Sequence, residues 1–323
     1  MGGGCHARAD RQPGPGRACA MLPSMLPWSQ RWQEALYGPS GFYVRAAPRE
    51  HFRTSVTASP VFAGAVRRLA GRVDDALRRP DPFDLVDLGA GRAELLDTLP
   101  DVPARWRLTA VERAAAPPGL AAGVRWLPEV PVLTGLLIAN EWLDVVPLDL
   151  VEDGRLVLVA PDGTQAPGPP ADPELLAWCA RWWPAGPAEV GLTRDRAWAA
   201  AVRQVQRGLA VAVDYGHTFA DRRPTLTGYR AGRQVPPVPD GSCDLTAHVA
   251  LDSCAATTGA RLLPQRSVLQ ALGVDGRVPA YEGPPQAYAR ALQRASEAAE
   301  LLDPRGLGGF GWLVQEVGIA PVL

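Results

Sequence analysis

The sequence predicts an α/β fold built on a mainly parallel sheet, and three observations support this prediction. The strand-like run Asp84–Leu88 leads directly into Gly89-Ala90-Gly91 and a helix-forming segment, Ala93–Leu99, which is how a parallel strand passes through a tight turn into a helix. Strand-like and helix-like segments then alternate along the rest of the chain, as in α/β proteins. Polar residues follow several of the apolar runs, where open α/β sheets bind their ligands.

The composition is that of a globular chain and excludes several classes of function. With 47% hydrophobic residues, a filled core is expected, and the net charge of −1 gives no electrostatic reason to expect nucleic acid as a partner. No apolar run approaches the ~18 residues of a membrane span. The five cysteines form no C-x-x-C pair and lack metal-ligand spacing with the four histidines, so we expect no metal and a reduced, cytoplasmic protein.

Two stretches stand outside the alternating pattern. Residues 1–27 are interrupted by Pro and Gly and predict a disordered tail, followed by a helical extension over residues 28–80. Asp153-Gly154 between two strand-like runs is a hairpin signal. With the Pro/Gly-rich loop Pro161–Pro173 and a tryptophan-rich helix over Glu174–Trp183, the hairpin predicts a smaller inserted lobe at about residues 148–208.

The first candidate site residues lie at two neighbouring strand ends. Gly89 and Gly91 allow positive φ and close backbone approach, and the following helix start offers free N–H groups to a polar ligand. Glu112 ends the next strand, Arg107–Val111. A carboxylate at that strand end is placed to accept hydrogen bonds from the ribose hydroxyls of a nucleoside cofactor.

Further polar turns follow the later strands. Asn140, Glu141 and Asp144 come after the strand Leu133–Ile138, and a helical turn there would put the two carboxylates on one face. The strand Leu209–Val213 ends in a polar turn beginning at Asp214. Asp244 is expected to cap a helix that carries His248, which we interpret as a core histidine. A strand near Arg261–Leu263, a helix over Gln286–Leu302 and a closing strand, Trp312–Val317, complete the sheet.

Two nucleotide cofactors compete for the glycine turn. The dinucleotide fingerprint G-x-G-x-x-G requires glycine where Glu94 stands, and a carboxylate at the helix start would oppose a pyrophosphate. S-adenosylmethionine carries no phosphate, and its ammonium and sulfonium groups tolerate nearby acids. The acids around the turn therefore favour S-adenosylmethionine over NAD and disfavour an NAD-dependent oxidoreductase.

Six motifs follow one another along the chain: Gly38–Tyr43, Phe52–Ser55, Val86–Arg92, Ala139–Asp144 with Pro147, Asp214–Gly216 and Asp244–Val249. In this order they resemble the MidA-like class I methyltransferases, the family that includes the mitochondrial complex I assembly methyltransferase. The resemblance implies the Rossmann-like class I methyltransferase fold over residues 28–323: a mainly parallel seven-stranded sheet with an antiparallel last strand. It also implies S-adenosylmethionine as methyl donor and a protein substrate, which in the mitochondrial member is an arginine of a complex I subunit.

The resemblance assigns the donor-binding residues to the first motifs. Gly89 and Gly91 would face the amino-acid portion of the donor, with Asp87 beside them, and Glu112 would bind its ribose. The remaining cofactor contacts would come from Thr54, Ser55 and Asn140.

The acceptor side is implied by the fourth motif. Asn140, Glu141 and Asp144 would line the site where the methyl group leaves, with Thr54 and Ser55 closing over it. If the acceptor is a guanidinium, Glu141 and Asp144 could hold it bidentately and localise its charge away from the attacking nitrogen.

Two departures from the family pattern accompany these motifs. The family usually has Gly where Ala93 stands, and this substitution is expected only to tighten the helix start. It also commonly has Arg and His around the positions of Thr227 and Gly232. Their loss keeps a non-catalytic assembly protein that binds S-adenosylmethionine as the alternative to a methyltransferase. The sequence is also compatible with a homodimer.

Overall fold

The computed structural model describes residue 1 and residues 24–45, 60–99, 101–183 and 185–323. The strands, in chain order, are β1 (Leu26–Pro27), β2 (Phe83–Leu88), β3 (Trp106–Val111), β4 (Arg125–Leu127), β5 (Leu133–Asn140), β6 (Asp149–Glu152), β7 (Arg155–Val159), β8 (Gln165–Pro170), β9 (Ala188–Val190), β10 (Val205–Asp214), β11 (Gly216–His217), β12 (Thr227–Arg230), β13 (Arg233–Val235), β14 (Asp244–Thr246), β15 (Val249–Ala250), β16 (Arg261–Pro264) and β17 (Gly311–Val317). The α-helices are α1 (Trp28–Tyr37), α2 (Phe42–Arg45), α3 (Pro60–Ala76), α4 (Glu94–Asp97), α5 (Pro173–Trp182), α6 (Leu192–Arg203), α7 (Leu251–Thr258), α8 (Gln265–Ala271) and α9 (Pro285–Leu302). Single turns of 3₁₀-helix lie at Phe219–Asp221 and Leu307–Gly309.

The main sheet has the strand order β16-β17-β10-β5-β2-β3-β4. Strands β4, β3, β2, β5 and β10 run parallel, and β17 pairs antiparallel with both β10 and β16. The predicted fold class is confirmed, including the mainly parallel seven-stranded sheet and its antiparallel last strand. The order reverses between β2 and β5, so the sheet has its switch point at the glycine turn, where ligands of such sheets bind.

Helices cover both faces of this sheet, which is why β2 is buried along its whole length. Leu85 packs with α3, α8 and α9 on one face, through side chains such as Phe62, Leu269 and Leu301. Val86 points to the other face and packs with α6 and α7 through residues such as Trp198. Alternate residues of one strand therefore serve two different cores.

A second, antiparallel sheet is built around the predicted hairpin. Strands β1, β7, β6 and β9 follow each other across it, and β8 pairs with the other side of β7. Asp153 and Gly154 form the hairpin turn with φ of 49° and 74°, the left-handed pair that a tight hairpin needs. Trp178 and Trp183 are buried against this layer, and Trp182 packs on it partly buried. The domain boundaries remain a prediction.

The prediction of a loop over Pro161–Pro173 is wrong, because Gln165–Pro170 is a strand paired with β7. Proline is tolerated there because β8 is an edge strand, whose outward side needs no N–H donor. The helix α4 is also shorter than the predicted 93–99 segment. Ala93 adopts a left-handed conformation with φ of 70°, so helical geometry begins only after it.

The prediction that Asp244 caps a helix is also wrong. Asp244–Thr246 is strand β14, paired with β12, and the helix begins only at Leu251. Residues 244–246 alternate polar and apolar side chains, and pairing with β12 decided their conformation. Helix α8 was not predicted at all. Among the described residues, no helix has both the length and the apolar character needed to cross a membrane.

Candidate active site

A cavity of about 860 Å³ opens at the carboxyl ends of the parallel strands, at the switch point of the sheet. Its floor is the glycine turn after β2, and its walls come from the ends of β3 and β5, from α1 and α2, and from the segment around β14. Its polar and aromatic lining includes Tyr37, Tyr43, Asp87, Glu94, Glu112, Asn140, Glu141, Trp142, Asp144, Tyr215, Tyr229, Asp244, Thr246, His248 and Phe310.

The glycine turn is shaped by backbone conformation and by a tryptophan that packs on it. Gly89 and Gly91 have φ of 73° and 59°, the left-handed region that favours glycine. A Cβ atom at Gly89 would lie 2.8 Å from Cδ1 of Trp142. This distance is shorter than van der Waals contact allows. The turn therefore requires glycine at this position both for its φ and for the close approach of Trp142.

Three carboxylates surround the turn. Glu112 accepts the N–H of Gly91 through Oε2 at 3.3 Å, and Glu94 accepts the N–H of Arg92 through Oε2 at 2.8 Å. Burial, followed by the charges of Glu94 and Glu112, raises the pKa of the Asp87 carboxyl to about 7. We call Asp87, Glu94 and Glu112 the donor acids.

The donor acids decide between the two cofactor classes in physical terms. A pyrophosphate binds at such a turn through free backbone N–H groups. Here carboxylates already accept the N–H groups of Gly91 and Arg92, and they add negative charge. A ligand with positive groups gains from the same arrangement, as S-adenosylmethionine does through its ammonium and sulfonium.

The expectation that Glu141 and Asp144 share a helical face is wrong. Strand β5 continues through Asn140, and Glu141 then takes a left-handed conformation with φ of 53°, with its N–H donating to the carbonyl of Val213 at 2.8 Å. Both carboxylates still line the cavity. Asn140 Nδ2 donates to Glu141 Oε1 at 3.1 Å, which links the two polar side chains at this strand end.

Beyond the strand end lie three buried aspartates, Asp144, Asp214 and Asp244, which we call the acid cluster. Burial raises the pKa of all three carboxyl groups, and the charge of Asp144 raises the other two further. The carboxylate of Asp144 accepts hydrogen bonds from Thr246 Oγ1 at 2.8 Å and from the Tyr215 hydroxyl. The Asp144 carboxylate is thus held by neutral hydroxyl donors and not by a direct ion pair.

A tyrosine hydroxyl and a backbone amide hold the other two aspartates. Tyr43 donates its hydroxyl to Asp244 Oδ1 at 2.9 Å, and the backbone N–H of Leu143 donates to Asp214 Oδ2 at 2.9 Å. Tyr43 comes from α2, so the N-terminal segment reaches into the centre of the site.

One buried arginine, Arg194 of α6, lies behind the acid cluster. Its guanidinium donates to backbone carbonyls rather than to carboxylates, with distances of 2.5–3.0 Å. The four carbonyls belong to Asp144, Val146, Ala247 and His248. Arg194 therefore fixes the turn after β5 against the segment after β14, and its charge offsets only part of the negative charge of the cluster.

Three buried oxygens of this region have no hydrogen-bond partner among the described residues. They are Asn140 Oδ1, Asp144 Oδ1 and Asp214 Oδ1. A buried acceptor without a donor costs about 1–3 kcal/mol, and more when it is charged. Such a concentration of free acceptors fits a site whose ligand brings hydrogen-bond donors, preferably with positive charge.

Comparison with known proteins agrees with this chemistry. Residues 104–263 match the profile of a family described as "Putative S-adenosyl-L-methionine-dependent methyltransferase". The chain is an S-adenosylmethionine-dependent methyltransferase. The predicted enzyme class and cofactor are thereby confirmed.

Two crystal structures from Burkholderia thailandensis resemble this methyltransferase. The first, of a protein bound to S-adenosyl-homocysteine, has 24% sequence identity and a TM-score of 0.74, and the match covers 93% of this chain and 89% of the other. The second, of an uncharacterized protein, has 25% sequence identity and a TM-score of 0.71, and the match covers 92% of this chain and 88% of the other. Both likenesses support the fold. No curated protein matches the chain significantly.

The structure places most of the predicted site residues of the methyltransferase around one cavity. Thr54 and Ser55 lie outside the described residues. The others all line the cavity: Asp87, Gly89, Gly91, Glu112, Asn140, Glu141 and Asp144.

Sequence reasoning missed the residues that hold the acid cluster. Tyr43, Tyr215 and Thr246 lie in motifs that support the family resemblance, but nothing local assigns them a role. Their position in these motifs is the available signal, and Tyr215 also follows the strand-like run Leu209–Val213. Arg194 gives no such signal, because it stands in an ordinary amphipathic helix and becomes important only through the distant carbonyls it meets.

Proposed function

We propose that this enzyme is a MidA-like methyltransferase that methylates an arginine side chain of a protein in the cytoplasm. The observation that carries the proposal is the acid cluster, of which Asp144 and Asp244 line the same cavity as the glycine turn. A guanidinium is cationic at every physiological pH and presents five N–H donors in a planar fork. It would supply both the charge and the donors that Asp144 Oδ1 and Asn140 Oδ1 lack.

The residues present fit the methyl donor. Gly89 and Gly91 would face its amino-acid portion, Glu112 its ribose hydroxyls, and Asp87 its positive groups. Asn140 would contact the donor from the next strand, and Thr54 and Ser55 are proposed to close over it. The Burkholderia thailandensis protein bound to S-adenosyl-homocysteine supports this assignment through its similar fold.

The acceptor would be held at the end of β5. Glu141 and Asp144 line the same cavity, and both can accept N–H groups of one guanidinium. Their charges would draw the positive charge of the guanidinium toward the nitrogens they bind, which leaves electron density on the nitrogen that attacks.

Alignment then carries most of the catalysis. S-adenosylmethionine supplies an electrophilic methyl group. The attacking nitrogen would form the new N–C bond as the C–S bond breaks with its electron pair staying on sulfur, and the nitrogen would pass one proton to a carboxylate that binds it, Glu141 or Asp144. Holding nucleophile and methyl group in line can account for many orders of magnitude in rate. The chain's contribution is the fixed relation between the glycine turn and Asn140, which β2 and β5 set by direct pairing.

The proposal is tested by incubating the purified enzyme with methyl-labelled S-adenosylmethionine and a lysate of its own cells. Label is expected on a protein, and mass spectrometry should place it on arginine. The Glu141→Gln variant should lose most of this labelling while binding S-adenosylhomocysteine normally, whereas Glu152→Gln on the exposed turn side of β6 should behave as wild type. Label on another residue type, or unchanged labelling by Glu141→Gln, would contradict the proposal.

The assembly state and the domain limits are proposals of the same kind. For a homodimer, light scattering is expected to give twice the monomer mass of 34.4 kDa. Limited proteolysis should cut first before residue 28 and within the segment of about 148–208 if that segment is a separate lobe.

A further inference from the structure

A smaller pocket of about 200 Å³ adjoins the cavity, and no residue of the glycine turn lines it. Four residues line both spaces and form the wall between them: Tyr215, Tyr229, Thr246 and His248. The rest of its lining is Arg223, Thr225, Thr227, Gln234 and Ala247. A substrate bound at the acid cluster would therefore have this pocket as its immediate neighbour.

The two spaces differ in charge. The cavity is lined by carboxylates, whereas none of the nine residues lining the small pocket is an acid. The small pocket instead has the guanidinium of Arg223 at its rim. Arg223 Nη1 donates to the backbone carbonyl of Asp221 at 3.1 Å, and within the described part of the chain it forms no ion pair with a carboxylate. Its charge is thus available to a ligand.

The neighbouring charged groups do not neutralise Arg223. Asp221 is exposed, and its Oδ1 accepts the N–H of Thr218 at 2.8 Å and the hydroxyl of Thr218 at 3.1 Å. Asp252 pairs with Arg222 rather than with Arg223, at 2.6 Å. Each nearby carboxylate therefore already has a partner.

The wall of the pocket is fixed by hydrogen bonds that reach a buried acid. His248 donates its backbone N–H to Thr225 Oγ1 at 2.9 Å, and Thr225 donates its hydroxyl to Glu189 Oε2 at 2.7 Å. Burial and the charges of Arg223 and Arg194 lower the pKa of the His248 imidazole, so the ring is a neutral wall. The pocket is therefore held open in one shape, with neutral polar groups inside and one cation at the rim.

We propose that this pocket is a subsite for a carboxylate of the substrate, carried close to the arginine that is methylated. The proposal rests on the proposed function and extends it, because it predicts a substrate with an anionic group beside its cationic one. The carboxylate could be an acidic side chain next to the arginine or the C-terminal carboxylate of the chain. Both present the same group to Arg223, and the experiment below separates them.

The test measures the binding of fluorescent hexapeptides to the full-length enzyme saturated with S-adenosylhomocysteine, so it requires no turnover. Each peptide carries one arginine, and the flanking positions hold Asp or Asn in matched pairs. A second series places the arginine near the end of the peptide, with the C-terminus either free or amidated. For at least one placement, the peptide with the carboxylate should bind about fivefold to tenfold more tightly than its neutral twin.

Variants assign that difference to the pocket. In Arg223→Gln the preference for the carboxylate should disappear, and binding of the neutral twin should not change. Arg233→Gln, on β13 next to the lining residue Gln234 but itself outside the pocket lining, should keep the preference. Both variants should bind S-adenosylhomocysteine as wild type does, which shows that the fold is intact.

The outcomes separate this proposal from the proposed function. Equal binding of all matched pairs, or a preference that survives Arg223→Gln, overturns the subsite while leaving arginine recognition in place. Loss of binding when arginine is replaced by Gln supports the proposed function independently. If no peptide binds, with or without a carboxylate, both proposals are contradicted.

Discussion

The two halves of the site, the donor acids at the glycine turn and the acid cluster behind β5, are both negative but are built differently. The donor acids come from β2, from α4 just after the turn and from the end of the adjacent strand β3, and two of them accept backbone N–H groups of the turn itself. The acid cluster is gathered from three segments distant in sequence and is held by tyrosine and threonine hydroxyls. The first is a local construction and the second a tertiary one.

This difference teaches where each half obtains its specificity. The donor half excludes a pyrophosphate because its backbone N–H groups are already used. The acceptor half selects for positive charge and hydrogen-bond donors, because its buried oxygens are left without partners. Changes in the two halves should therefore affect different steps, and four substitutions test this.

The largest effect is expected from Asp144→Asn. The amide can still accept the hydroxyls of Thr246 and Tyr215, but it replaces a charged acceptor with a neutral donor. Methyl transfer should fall about a hundredfold, or about 3 kcal/mol, measured as initial rates of labelled methyl incorporation, with S-adenosylhomocysteine affinity changed less than twofold.

The control is Asp195→Asn, another buried aspartate, which accepts Trp178 Nε1 at 2.8 Å and Ser253 Oγ at 2.6 Å away from the cavity. The folded fraction of Asp195→Asn should transfer methyl groups at the wild-type rate. Equal losses in the two variants would show that burial rather than position matters, and the comparison of the two halves would fail.

The donor half is tested by Gly89→Ala. The added Cβ would lie 2.8 Å from Trp142 Cδ1, on a backbone that already disfavours it, so donor affinity should fall about thirtyfold, or about 2 kcal/mol. Gly154→Ala has almost the same φ, 74°, but meets no atom within 4 Å. Calorimetric titration with S-adenosylhomocysteine should find affinity reduced in the first variant alone. A similar reduction in both would assign the effect to backbone strain.

The pH dependence of donor binding follows from Asp87, whose pKa is raised to about 7 by burial and by the charges of Glu94 and Glu112. A positively charged donor favours the ionised form, so affinity for S-adenosylmethionine should rise about tenfold from pH 6 to pH 8. Asp87→Asn should remove most of this rise. A steep profile that survives the substitution would place the titrating group elsewhere.

The raised pKa of Asp87 also predicts how the stability of the ligand-free enzyme depends on pH. Because the folded pKa of Asp87 lies above the unfolded value of 3.8, the unfolded chain loses this proton first as pH rises. The contribution of Asp87 to the free energy of unfolding is therefore fully present below about pH 4 and is lost as pH rises toward 7. Urea unfolding of wild type and Asp87→Asn at several pH values isolates this slope.

The smallest effect concerns Ala93, the position where the expectation of a tightened helix start is wrong. Its φ of 70° is a conformation that costs alanine about 1–2 kcal/mol. In Ala93→Gly this gain is offset by the lost buried methyl group, about 0.8 kcal/mol, and by greater backbone entropy, about 0.5–1 kcal/mol. The free energy of unfolding should change by less than about 0.5 kcal/mol.

Ala90→Gly, in the same turn but without positive φ, lacks the compensating gain and should lose about 1.3–1.8 kcal/mol. Urea unfolding at one pH compares the two variants. Equal losses would mean that the left-handed conformation of Ala93 carries no strain, and the turn would then be less constrained than its glycines indicate.

Much of the fold could be predicted because its signals are local. The strand and turn at Asp84–Gly91, the hairpin at Asp153-Gly154 and the closing strand each carry their own periodicity or turn chemistry. The segments that were predicted wrongly, Pro161–Pro173 and Asp244–Val249, have weak local preferences. Pairing with β7 and β12 decided them instead.

The candidate site divides along the same line. By itself the sequence determined the parallel sheet, the glycine turn with its donor acids, and hence a cofactor without phosphate, because these residues act through their own backbone and their immediate neighbours. Only the tertiary structure decided that Asp144 lies in a cluster with Asp214 and Asp244. Burial and the charge of each carboxylate on the next depend on segments that approach one another only when the chain is folded.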